Sequence, residues 1–162
     1  MAFKPGFIVI DRGCDKIMRQ LKLTDKSYVK VGVQAGAEHK PSSKGSKPKD
    51  TTDMVAIAVA NEFGTKGIPE RSFLRSTTDE QQRELIVLKV EAIRRITIGR
   101  TTVKKQLDKI GLYLGSKVQN KIKDLRTPPN ALSTVRAKGS SSPLVDTGQL
   151  RASIRHVVHV IE

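Results

Sequence analysis

The chain contains no tryptophan, and phenylalanine and tyrosine together make up only 4% of it. A core built here must rest on Val, Ile, Leu and Ala, and the aromatic platform on which single-stranded nucleic acid stacks is missing. The single cysteine, Cys14, excludes an internal disulfide and fits a reducing compartment. Long apolar runs are also missing. The longest early one, Gly6 to Ile10, stops at Asp11, far short of the roughly 20 residues that span a bilayer and too short for a signal-peptide core. Acidic residues are scarce beside basic ones, 16 against 30, for a formal charge of +14. Such an excess points to nucleic acid, an acidic protein surface or an anionic membrane as partner, with the membrane the weakest of the three. The expectation is a soluble protein of the cytoplasm.

What the chain has is organised around Thr51 to Arg75, TTDMVAIAVANEFGTKGIPERSFLR. Met54 to Ala60 are all small or apolar, which predicts a helix buried on nearly every side. Thr51 or Thr52 is placed to cap it and Asp53 to meet its positive end. Gly64 can end it in a left-handed conformation. A tight turn at Ile68 and Pro69 then returns Phe73 and Leu74 to the core.

With 162 residues, one domain over 1–162 is expected, long enough to bury a real core. Phe7 to Ile10 has strand character, and Ile17, Met18 and Leu21 share a helical face within Asp15 to Leu23. Tyr28 to Val33 alternates, placing Val29, Val31 and Val33 on one side of a half-buried strand. Residues 35–50 carry Lys40, Lys44, Lys47 and Lys49 among Gly, Ser and Pro, which predicts a mobile basic loop, either merely solvated or reaching phosphate. Thr77 and Glu80 have capping-box spacing and open a predicted helix to about Ile96. Its apolar residues form two stripes, Leu85, Leu88 and Ala92 beside Ile86, Val90 and Ile93. A second helix carries Val103, Leu107, Ile110, Leu114, Val118, Ile122 and Leu125 at steps of three and four. These two long amphipathic helices form either an antiparallel pair or one broken rod. Residues 127–143 read as a loop beginning at Pro128 and Pro129. Asp146 or Thr147 can cap one helical turn, and the β-branched run from Ile154 predicts a strand, paired antiparallel with Tyr28 to Gln34. The expected fold class is α+β: a small, mostly antiparallel sheet packed on the buried helix, with the two long helices beside it.

Chemistry is harder to find. His39, His156 and His159 share no metal-ligand spacing with Cys14, and no nucleophile elbow or phosphate-binding loop occurs. Glu62, beside an apolar helix, could resemble a desolvated general base; capping a helix terminus or an ion pair between subunits is the simpler use. No catalytic residue, cofactor or metal is expected, and the chain does not read as an enzyme. The basic surface is the one strong signal, and Lys and Arg contacts to phosphate give affinity without sequence readout.

Three segments together resemble the tail-completion or neck proteins of tailed bacteriophages: Val29 to Ala37 (VKVGVQAGA), Ala60 to Thr65 with Ile68 to Arg75 (ANEFGT and IPERSFLR), and Leu144 to Ile154 (LVDTGQLRASI). The chain departs from many relatives in having Ser72 where they have proline, and in placing DTGQLRASI after EFGT rather than before it. The resemblance implies a non-catalytic virion protein at the head–tail junction, made in the host cytoplasm. It implies a ring of identical subunits, a hexamer, touching the adjacent neck connector and tail-tube proteins, with nonspecific contact to genomic DNA in the lumen and none to membrane. Candidate subunit contacts are Glu62, Phe63, Gly64, Pro69, Arg71, Phe73, Arg75, Asp146, Thr147, Gly148 and Arg151. Lys40, Lys44, Lys47 and Lys49 are candidates for facing DNA or a partner. The alternative is a basic nucleic-acid-binding protein without sequence specificity.

Overall fold

The computed structural model describes residues 13–34, 38–39, 52–138, 141–145 and 147–161. Helix α1 (Cys14–Thr24) leads into strand β1 (Tyr28–Val33), which pairs antiparallel with the last strand, β4 (Ile154–His159). The register sets Val33 against Ile154 and Tyr28 against His159, as the alternation of Val29, Val31 and Val33 and the β-branched C-terminal run predict. A second, two-residue pairing joins β2 (Glu38–His39) to β3 (Thr52–Asp53). The expected strand at Phe7 to Ile10 and nearly all of the expected loop over 35–50 lie outside the described residues.

Between the paired strands the chain is helical: α2 (Met54–Phe63), α3 (Leu74–Glu80), α4 (Gln82–Thr97), α5 (Val103–Asp124), α6 (Leu132–Lys138) and α7 (Gln149–Ser153). The result is a mixed helix-and-strand fold with a small antiparallel sheet. The helix laid across that sheet is α5, and Gly111 lets it come close. A Cβ at Gly111 would stand 2.7 Å from the His156 ring and 2.8 Å from Val29 Cγ2, whereas one at Gly115 would meet Val31 at an ordinary 3.9 Å.

Two apolar clusters share this helix. Val118 and Ile122 join Met54, Ala58, Phe73, Leu144, Leu150 and Ile154 at one end, with Val31 and Val33 of the sheet packed against them. Ile110 joins Leu85 and Ala92 of α4, with Leu88 and Tyr113, at the other. Tyr113 donates its hydroxyl proton to Gln81 Oε1 at 2.7 Å, while Val103 lies beside Ile96. Helices α4 and α5 therefore run antiparallel, as a pair rather than a broken rod. Helix α1 is tied to the start of α5 by a bond from the Val103 amide to Gln20 Oε1 at 2.9 Å.

Several expectations are corrected. Helix α2 is not buried on nearly every side: Met54, Ala58 and Glu62, one stripe at steps of four, are buried, while Val59 and Phe63 are 50% and 58% exposed. An all-apolar composition signals burial only where partners exist, and the described chain supplies a partner for one face. The cap of α2 is Asp53 itself, accepting from the Val55 amide at 3.0 Å. The helix after the turn starts at Leu74, not at a Thr77 capping box. The Thr77 hydroxyl instead donates to Phe73 O within the helix and is almost fully buried. The N-cap of α7 is Gly148, at φ +77°; Thr147 Oγ1 accepts from the Gln149 side chain at 2.7 Å, and Asp146 lies outside the described residues. Finally, the stretch read as a loop over 127–143 contains α6.

Candidate functional site

The segment around which the sequence is organised folds back on itself. Gly64 leaves α2 with φ +74° and ψ 169°, a positive φ open to glycine but outside the expected left-handed helical region. A Cβ there would sit 2.9 Å from the Glu70 amide nitrogen. Thr65 and Ile68 close the turn with paired backbone bonds of 2.7 and 3.2 Å. The Arg71 amide then bonds to Asn61 O at 2.7 Å, so the returning strand of chain lies alongside the end of α2.

That return brings the start of α3 onto the Glu62 carboxylate. Oε2 accepts from the amides of Phe73 at 2.7 Å and Leu74 at 2.8 Å. Oε1 accepts from the Arg75 amide at 2.9 Å and the Ser72 hydroxyl at 2.8 Å. A helix start leaves its first amides without intrahelical partners and carries a partial positive charge. Glu62, eleven residues back in the chain, supplies the cap that no side chain at Phe73 can. Burial pushes its carboxyl up, yet the three amides and the Ser72 hydroxyl, all bonded to the ionised form, outweigh burial and hold it below the ordinary glutamate value. A carboxylate held ionised and saturated with donors is a poor general base. Its geometry is that of a helix cap, one of the two simpler uses expected of it.

Two arginines complete the unit. Arg75 reaches back to Glu62 Oε1 at 3.2 Å and Glu62 O at 3.0 Å, bonds Glu70 Oε1 at 2.6 Å, and lies 4.6 Å over the Phe63 ring. Arg71 is buried. Nε donates to Pro128 O at 2.9 Å, and Nη2 donates to Pro129 O at 3.0 Å and Asn130 Oδ1 at 3.1 Å. Burial draws its guanidinium below the usual value. A planar fork among fixed carbonyls ties the α5–α6 connection to the turn.

The candidate contact residues therefore divide. Glu62, Arg71 and Phe73 are consumed inside their own chain, and Phe73 has no exposed surface at all; these three are corrected from subunit contacts to internal ties. Gly64 makes the turn. Phe63, Pro69, Arg75, Thr147 and Arg151 remain exposed, and Gly148 is half-buried. Lys40, Lys44, Lys47 and Lys49 lie outside the described residues. Leu150 and Ile154 of the DTGQLRASI segment pack in the same cluster as Phe73, Met54 and the sheet valines Val31 and Val33. All three segments of the resemblance thus meet around one core. The sequence showed each segment but not the Glu62 cap or the Arg71 clamp, because reaches of 11 and 57 residues leave no periodic trace.

Elsewhere His156 bonds Asp108 of α5 at 2.7 Å, and His159 stacks on Tyr28 with centroids 4.8 Å apart. Among the described residues no group of three or more His, Cys, Asp or Glu side chains could hold a metal ion, and no helix is long and apolar enough to cross a membrane. Comparisons with family models, with curated proteins and with solved structures find no match to the chain.

Proposed function

We propose that this chain is a structural protein of a tailed-phage particle, a tail-completion or neck component that assembles as a ring and joins the tail to the DNA-filled head. It does this without catalysis. The observation that carries the reading is the convergence of the three resembling segments on one core, where Val31 and Val33, Phe73, Leu150 and Ile154 pack together. Residues that make up a shared motif but are far apart in sequence gain meaning when they build one unit.

The unit suits assembly. Glu62 and Arg71 hold the turn rigid from within, so that Phe63, Pro69 and Arg75 are presented at fixed positions for a neighbouring subunit, with Arg151 exposed on α7. A rigid contact loses little conformational entropy on association. In the ring, a hexamer by resemblance, apolar surface on α2 is covered by the next subunit. The two long amphipathic helices, α4 and α5, give each subunit its length. Connector and tail-tube proteins stack on either side, and the excess of basic residues suits a lumen that carries DNA. Deleting the coding region from the parent phage is expected to give separate heads and tails in the lysate; joined, infectious particles would refute the reading.

The charge of +14 supports a second reading, a basic nucleic-acid-binding protein. Replacing Lys40, Lys44, Lys47 and Lys49 by Ser would then reduce the slope of log affinity against log salt by about 0.9 for each phosphate that is no longer neutralised. An unchanged slope removes those lysines from any DNA interface.

A further inference from the structure

Nothing in the described chain covers the outer face of α4. Ile86, Val87, Val90 and Ile93 are 53%, 60%, 62% and 52% exposed, while Leu85, Ala92 and Ile96 form the buried face. Steps of four and three put Ile86, Val90 and Ile93 on one stripe, with Val87 at its side. The same helical geometry places Arg83, Lys89 and Arg94, all exposed, around its border. Two acids stand beyond Val87: Glu91, engaged by Arg94 at 2.8 Å and Arg95 at 2.7 Å, and the exposed Glu84. At Ile93 the stripe opens into a pocket of about 230 Å³ between α1, α4 and α5, lined by Ile96, Val103 and Ile110. Ser27 also lines it, and its hydroxyl oxygen is buried without a hydrogen-bond partner among the described residues.

We propose that this face docks one amphipathic helix of a partner protein, apolar along its inner stripe and acidic along both borders. Charge complementarity selects that occupant, because cations outnumber acids around the stripe, Arg83, Lys89, Arg94 and Arg95 against Glu84 and Glu91, and acidic neighbours on a partner would pair with the excess. A second copy would bring like charges together, and four half-exposed side chains cannot supply the roughly 800 Å² per partner of a stable globular dimer. A single helix needs only such a stripe. An anionic membrane would meet the same charges. Helices built for that surface, however, present Trp, Phe or Leu rather than this Ile and Val set, and the Ile93 pocket gives one bulky partner side chain a seat. The inference goes beyond the neck reading and stands or falls separately from it.

The test uses the full chain and a synthetic helix with Leu at its heptad a and d positions and Glu at e and g, followed by fluorescence anisotropy. Two controls accompany it: a peptide of the same composition in shuffled order, and the double variant Ile86→Ser with Val90→Ser, its fold checked by circular dichroism. The designed helix is expected to bind, the shuffled peptide not, and the variant to bind at least about tenfold more weakly, equivalent to about 1.4 kcal/mol. Equal binding of the shuffled peptide, or of the variant, would overturn the proposal in favour of charge alone. Absence of binding would overturn it outright. So would self-association, or binding to phosphatidylserine vesicles, that the double variant abolishes.

Discussion

At Glu62 a single carboxylate accepts from three consecutive amides and a hydroxyl, and each of those bonds is strongest to the ionised form. Because its carboxyl is held below the ordinary value in the folded chain, the stability it contributes is complete above the unfolded-state value and is lost as pH falls through the folded one. Urea unfolding at neutral and at strongly acidic pH measures this. Glu62→Gln is expected to cost roughly 2–3 kcal/mol at neutral pH, the scale of a lost charged hydrogen-bond acceptor, and to lose less than the parent on acidification. Equal acid sensitivity of parent and variant would show that Glu62 does not set it. Arg71→Lys is the matching change on the other side of the turn. An ammonium cannot span Pro128 O, Pro129 O and Asn130 as the fork does, and a cost of about 1–3 kcal/mol is expected, measured as a shift in the urea midpoint.

At the scale of elements, the closest approach in the fold is α5 to the sheet at Gly111. Gly111→Ala drives a methyl into the His156 ring and Val29, and an overpacked site of that kind costs about 1–3 kcal/mol. Gly115→Ala has room against Val31 and is expected to be neutral, or stabilising by up to about 1 kcal/mol through helix propensity. Thermal unfolding of the two variants separates these outcomes. Sequence reasoning finds the elements whose patterns are local: the alternation of Val29, Val31 and Val33, the β-branched run from Ile154, and the turn at Ile68. It misses what depends on distant partners. Nothing in the spacing of α5 says that it crosses the sheet at Gly111, while Met54 and Ala58 of α2 pack only near the Val31 to Val33 end. The start of α3 is also hidden, because its cap sits on another helix. The composition of α2 is apolar as the sequence shows, yet the helix is not buried all round, since Val59 and Phe63 face outward.

For the whole molecule, those outward residues matter most. Phe63, with Arg75 over its ring, and Val59 one turn earlier give α2 an apolar edge beside a turn locked by internal bonds. In the ring reading this edge lies between subunits. Phe63→Ser leaves the buried stripe of Met54, Ala58 and Glu62 intact and is expected to shift sedimentation toward smaller species without lowering the unfolding temperature appreciably. The central claim, a chain built to close on copies of itself, is tested most directly by its mass in solution, measured by light scattering at low and high salt with and without duplex DNA. The account predicts one closed oligomer whose mass is the same at both salt concentrations and unaffected by DNA. A monomer at both salt concentrations, gaining mass only with DNA at low salt, would contradict it.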